Sequence, residues 1–253
     1  MRCRRRVRAA ISIAVAFIVC GFFLSAGPSR AGDGGDARTI LFSGRDLWRN
    51  GAFAYGGLLI APGGFEQDGF MLKLLLSGGL YRYNAGSLGD AQVVGGEWLA
   101  QAMPGFRIKR GDAEMKFFFG PEWQHHNLSP DDPDNRLRGE TIGLRMAAEL
   151  WYEVTPQALI VGDVSLSSIA TSQSARLGFG WRVADEIFNG EGFYVGPEAQ
   201  VFGSYGYRHW RLGAHLTSLR TEATEWSAAI GYARDTDGHS SPYVRLNLSS
   251  KLN

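Results

Sequence analysis

Cysteine is all but missing from this chain. Only Cys3 and Cys20 occur, and both lie in an N-terminal segment that reads as a leader. The mature protein would carry none, which excludes disulfide staples, thiolate metal sites and cysteine nucleophiles. An excess of charge is missing too: 26 Lys and Arg stand against 25 Asp and Glu, for a net charge of +1. Nothing in that balance would hold nucleic acid, which is not an expected partner. Helical periodicity is absent beyond the leader, since no window repeats its apolar residues every three or four positions. No HExxH or CxxC metal signature and no GxSxG nucleophile elbow occurs.

The leader itself has three parts. A basic stretch, RCRRRVR, precedes the apolar run AAISIAVAFIVCGFFLSAG, and Ser29-Arg30-Ala31 offers the small residues that a signal peptidase reads. Residues 1–31 are therefore expected to be a cleaved signal peptide. The length of the apolar run leaves a retained membrane anchor as the competing reading. Phe17-Ile18-Val19 before Cys20 is too bulky for a lipidation box. Residues 32–38, rich in Gly and Asp, form a flexible linker. Residues 39–253 remain as one domain, which without disulfides must be stabilised by its own core or by a membrane.

What this domain has in abundance is alternation. Between Phe193 and Leu219 two runs flank a Gly/Ser/Tyr-rich turn. Phe193, Val195, Pro197, Ala199 and Val201 share one face, opposite Glu198 and Gln200. Trp210, Leu212, Ala214 and Leu216 then oppose Arg211, Gly213, His215 and Thr217. A period of two is that of an extended strand with successive side chains on opposite faces, so this is a hairpin with one oily and one polar face. The pattern recurs from Gly69 to Tyr83, from Met115 to Gln124, from Thr141 to Leu150, from Ala158 to Ser167, from Ala175 to Val183, from Glu225 to Tyr232 and from Val244 to Ser249. Thr39–Trp48 and Phe53–Ala61 are weaker candidates. Ala91–Arg110 is ambiguous between helix and strand, with Pro104 interrupting it. His125–Gly139 reads as the longest polar loop. FFFGPEWQ at Phe117–Gln124 echoes FYVGPEAQ at Phe193–Gln200. Each Gly-Pro-Glu is expected to be a bulge or a strand entry, because proline cannot donate to a ladder.

Strands of about ten residues exceed the usual five or six of soluble sheets and suit a tilted bilayer crossing. The fold class expected is all-β, an antiparallel up-and-down transmembrane β-barrel of about 10–12 strands. In such a barrel the oily face meets lipid and the polar face lines the lumen. The candidate lumen residues are Lys73, Glu122, Arg145, Glu149, Asp163, Arg176, Arg182, Glu198, Arg211, His215 and Arg245. Charges of both signs among small residues could fill a narrow barrel with ion pairs, which predicts a plugged or slender pore. Trp151, Tyr152, Trp181, Trp210 and Trp226 lie near strand ends and are candidates for an interfacial aromatic girdle. Tyr81, Tyr83, Trp98 and Tyr243 are candidate platforms for sugar rings.

Little here suggests chemistry. His125 and His126 point to opposite faces of a strand, and His209 and His215 lie about 20 Å apart along one, so neither pair shares a metal. A Ser204 pairing with His209 or His215 would support an acyl-ester hydrolase, one alternative reading. A secreted soluble barrel that binds a small ligand is another. The chain is expected to be no enzyme and to need no cofactor.

Four stretches carry a resemblance: GGLLIAPGGFEQDGFMLK (Gly56–Lys73), HHNLSPDDPDN (His125–Asn135), GPEAQVFGSYGYRHWRLGAHLTSLR (Gly196–Arg220) and EWSAAIGYARDTDGHSSPYVRL (Glu225–Leu246). Together they resemble the BcsS family of bacterial cellulose-biosynthesis proteins. The resemblance implies an outer-membrane role in cellulose synthesis or export in a Gram-negative bacterium. Outer-membrane lipid would surround the barrel, and cellulose or other secretion components would be its partners. It supplies no catalytic residue.

Overall fold

The computed structural model describes residues 37–183, 192–221 and 224–252. The leader lies outside the described residues, as does all of the linker except Ala37 and Arg38. The compact unit that begins at Gly35 contains twelve strands: β1 (Thr39–Trp48), β2 (Gly51–Ile60), β3 (Gly69–Ala85), β4 (Ala91–Arg110), β5 (Ala113–Ser129), β6 (Gly139–Thr155), β7 (Ala158–Ser167), β8 (Gln173–Val183), β9 (Phe193–Ser204), β10 (Tyr207–Thr221), β11 (Thr224–Asp235) and β12 (Ser240–Leu252). Each pairs antiparallel with its chain neighbours, and β12 closes on β1 from Thr39↔Leu252 to Trp48↔Tyr243. The result is a closed up-and-down barrel without a free sheet edge. Closure satisfies the backbone groups that an open sheet would leave to solvent or lipid.

Alternation sorts the side chains. Large apolar residues are exposed on the outer face of β1 and of β3 through β12; Ile142 is 79% exposed, Leu212 69% and Leu76 68%. A soluble monomer rarely shows a continuous apolar surface of this extent. The inner face buries charge instead, with Glu122 at 1%, Glu198 at 3% and Arg211 at 4% exposure. Oily outside and charged inside is the inverse of a soluble barrel and the arrangement that lipid demands.

Three local expectations are corrected. Ala91–Arg110 is one 20-residue strand that runs straight through Pro104. His125 to Ser129 belongs to β5, which shortens the loop to residues 130–138. The two Gly-Pro-Glu segments are neither bulges nor strand ends. Pro121 sits in register opposite Leu144, and Pro197 opposite Ala214. Rungs are missing only on the other side, where pairing skips from Gln101↔Glu122 to Gly105↔Phe118 and from Gly178↔Glu198 to Trp181↔Val195 without slipping. Proline thus forfeits a ladder bond toward one neighbour and keeps the other. The preceding glycine lets the backbones close in: a Cβ on Gly196 would lie 1.9 Å from the Phe179 carbonyl oxygen, and one on Gly120 2.3 Å from that of Ala102. True irregularities occur elsewhere, between Leu216 and Leu219 and between Glu153 and Thr155.

The lumen is layered. At the end where β1 starts and β12 finishes, Leu59, Ala61, Met71, Met103 and Phe118 form a buried apolar cluster, with Phe65 of the β2–β3 loop packed on it. Arg107 anchors that loop through the carbonyls of Phe65 and Gln67. A second cluster of Leu159, Val161 and Tyr194 lies on β7 and β9. Charged side chains occupy the middle, and an open vestibule the opposite end.

Candidate functional site

The two Gly-Pro-Glu echoes place the two principal carboxylates of the charged layer. After each proline the glutamate points inward and is fully enclosed. Arg145 pairs with Glu122 through two guanidinium nitrogens, the longer contact being 3.3 Å. Gln101 and Ser167 donate to the same carboxylate at 3.0 and 3.1 Å, and Gln124 also donates to it. Glu198 accepts from Arg245 at 2.5 Å and from the Tyr243 hydroxyl at 3.0 Å, with Arg176 at 3.9 Å. Arg176 reaches Asp163 at 2.5 Å. Lys73 contacts Glu149 at 2.6 Å, and Lys116 lies 3.9 Å from it. Arg211 reaches Asp46 at 2.6 Å. These bonds tie together strands from β1 to β12 across the lumen. A buried charge without a partner costs several kcal/mol, so each side chain is held where its partner is.

Ten of the eleven residues expected in the lumen are thus inside and partnered or buried. His215, 2% exposed, bonds Thr217 at 2.9 Å and the Phe179 carbonyl at 3.2 Å. Arg182 shares the inner face by alternation but sits exposed at the end of β8. The sequence reading missed Asp46, Glu97, Arg107 and Tyr55, whose hydroxyl bonds Asn247 at 2.7 Å. On β1, β2 and β4 the inner face mixes apolar with polar residues, so no polarity alternation announces them.

The girdle candidates divide. Trp181, Trp210 and Tyr152 are 56%, 46% and 39% exposed on the outer face. Trp226 shares the outer face of β11 by alternation and bonds Thr221 at 2.9 Å. Trp151 is a correction: it faces the lumen, packs on the Leu159–Val161–Tyr194 cluster and meets Tyr194 edge-on at 6.3 Å. The lumen is apolar at that end, and an inward Trp completes its packing. Among the platform candidates, Trp98 faces outward and Tyr243 is buried in the charged layer.

Tyr81 and Tyr83 do line a common space. The vestibule encloses about 1130 Å³ and is walled by Trp48, Phe53, Tyr81, Tyr83, Phe202 and Tyr207, among other residues. Tyr81 and Tyr83 stack at 6.1 Å. The Tyr83 hydroxyl donates to Asp132 at 2.8 Å and accepts from Asn135 at 2.7 Å, tethering the loop at the rim. Hydrogen bonds from Tyr83 and Ser87 hold the Asp132 carboxyl below its ordinary pKa. His126 points into the vestibule on Tyr81 at 3.0 Å, while His125 faces outward and stacks on Trp123. Among the described residues, Asp235, Asp237 and His239 come close enough to hold a cation. Asp235 is already committed to the His239 backbone N–H at 2.8 Å and to Asn50 at 3.3 Å.

Fold and lumen together define an outer-membrane-type β-barrel whose interior holds paired charges. Residues 40–252 match the family described as cellulose biosynthesis protein BcsS, and the chain belongs to that family. Among solved structures it is similar to an outer membrane channel from Pseudomonas putida F1, at 11% identity and a TM-score of 0.57, covering 89% of this chain and 99% of that one. It is also similar to the beta domain of the Bordetella autotransporter BrkA, at 13% identity and a TM-score of 0.50, covering 86% and 100%. At such identities the likeness concerns the fold alone. A search of curated proteins gave no match.

Proposed function

We propose that this protein is a non-enzymatic outer-membrane component of cellulose secretion that acts as a closed scaffold and not as a conduit for the polymer. One observation supports the reading: ion pairs gather around Glu122 and Glu198 inside the lumen, and the apolar Leu59–Met103–Phe118 cluster packs below them. A glucan chain moving through would have to break several desolvated ion pairs at once, each costing several kcal/mol. The apolar outer belt supports residence in a bilayer, with outer-membrane lipid as its surroundings. Other components of cellulose secretion are its expected partners. An acyl-ester hydrolase would need a serine bonded to a histidine, and among the described residues the ring of His215 is committed to Thr217 and Phe179.

Planar-bilayer conductance tests the closed barrel. Small or absent unitary currents are expected, and a large, stable open channel would overturn it. Deletion in the native host, scored for cellulose output, tests the role; unchanged output would remove it.

A further inference from the structure

We propose that the floor of the vestibule is a binding subsite for the end of a neutral glucan chain. The naming of a glucan rests on the secretion reading above; the site itself rests on geometry.

The first observation is a set of orphaned polar atoms. Asp46 Oδ1, His209 Nδ1 and Arg211 Nε are buried without a hydrogen-bond partner, and all three residues line the vestibule. Native structures leave few such atoms unpaired, and each calls for an explanation. They come from two strands, Asp46 from β1 and His209 and Arg211 from β10, joined by the Arg211–Asp46 contact at 2.6 Å. A carboxylate acceptor beside a guanidinium donor matches the paired hydroxyls of a sugar, each of which both donates and accepts. Gln200, whose amide oxygen accepts from Arg211 at 3.4 Å, adds a further polar group to the wall.

The second observation is the aromatic wall around these groups. Trp48 lies 4.9 Å from the His209 ring, and Phe202 stacks on that ring at 5.2 Å. Trp48 also carries the Arg211 guanidinium at 5.9 Å. Apolar ring faces next to fixed polar groups suit an amphipathic ring with C–H faces and hydroxyl edges.

Charge and shape narrow the ligand. The vestibule walls carry five carboxylates against four arginines. That balance favours a neutral chain over a polyanion, which would need a clear excess of cations. At about 1130 Å³ the space slightly exceeds the range of about 300–1,000 Å³ for small-molecule pockets, room for a few linked rings. The charged layer closes it beneath, so a chain enters end first and stops. This is a site for a terminus, in contrast to an open groove that grips a chain along its length.

The test uses the full-length protein in detergent, with cellohexaose as probe and tryptophan fluorescence and calorimetry as readouts. Saturable binding is expected. Asp46→Asn keeps the volume but removes the charge and should weaken binding about tenfold, the worth of one hydrogen bond to a charged group. Trp48→Ala should abolish it, with Trp48→Phe restoring part of it should the smaller residue unsettle the fold. Trp98→Phe, on the lipid face, should bind as wild type. At equal glucose content, cellohexaose should fill the site far more readily than long hydroxyethylcellulose, because occupancy follows the number of ends. Occupancy that follows polymer mass would overturn the end-first site. Preference for an acidic oligogalacturonide would overturn the neutral ligand. Absence of any saccharide binding, with the floor satisfied by water alone or covered by a protein segment, would overturn the proposal. Absence of binding together with lost cellulose output on deletion refutes this site and leaves the secretion role standing; binding with unchanged output does the reverse.

Discussion

Replacing Glu198 with alanine probes the charged layer most directly. The Glu198 carboxylate is fully enclosed, and its main partner Arg245 is 10% exposed through its side chain. Truncation removes the acceptor from Arg245 at 2.5 Å and from Tyr243 at 3.0 Å. Arg176 is spared, because Asp163 remains 2.5 Å away. One guanidinium is therefore orphaned, and breaking a buried pair from one side costs about 3–5 kcal/mol. Arg245 and Tyr243 donate to different oxygens of Glu198. Glu198→Gln therefore keeps the acceptor for Arg245 and turns its NH2 toward the Tyr243 hydroxyl, which can rotate to accept. It should cost only about 1–3 kcal/mol, the range for hydrogen bonds involving a charge. Removing both partners in Glu198→Leu/Arg245→Leu exchanges the pair for apolar volume and should return to within about 1 kcal/mol of wild type, since such exchanges are often neutral. Urea unfolding of the protein in lipid vesicles, followed by tryptophan fluorescence, measures all three. A Glu198→Ala variant as stable as wild type would refute the reasoning, and so would a double variant as unstable as the single one. The first result would mean that water in the lumen already screens these charges, and the second that lost packing, not an orphaned charge, sets the cost.

Other perturbations address other layers. Leu212→Arg places a charge on the lipid face and should cost about 2–4 kcal/mol if it lies near the midplane, read as loss of folded protein in membrane fractions; Arg211→Leu, on the opposite face of the same strand, should leave insertion intact but lower the urea midpoint, because it leaves Asp46 without its partner. Gly196→Ala drives a methyl into the Phe179 carbonyl and should lower the unfolding midpoint in the same urea assay, whereas Gly63→Ala, with open space around it, should not. Protonation of Asp132 should free the rim loop. Its folded pKa is the lower one, so the tether is complete above about pH 4, the ordinary Asp range, and fades as pH falls through the depressed value. Amide protection across residues 130–138, corrected for the intrinsic pH dependence of exchange, should fall in acid for wild type and be low already at neutral pH in Asp132→Asn; an Asp132→Asn loop as protected as wild type at neutral pH would refute the tether.

The sequence by itself determined the two-faced strands of the architecture. A period of two survives any folding of the chain, because successive side chains on an extended backbone must point to opposite faces. Trp210 and Leu212 against Arg211 and His215 were therefore legible before any coordinate, and so were most of the charges that line the lumen. The strand through Ala91–Arg110 was not, because its inner face mixes Val93, Leu99 and Met103 with Glu97 and Arg107 as it passes from vestibule to apolar cluster. For the same reason Trp151 read as girdle. Alternation tells which residues share a face and is blind to depth along the barrel axis, where the lumen changes from oily to charged to aromatic. Only the closed tertiary structure decided how that face is filled. Glu122 meets Arg145 from 23 residues away, and Arg211 meets Asp46 from 165 away. Such encounters depend on strand number, tilt and register, which no local pattern records. Closure of β12 on β1 is what brings Asp46 and Trp48 beside His209, and it turns scattered polar and aromatic residues into the lining of one vestibule.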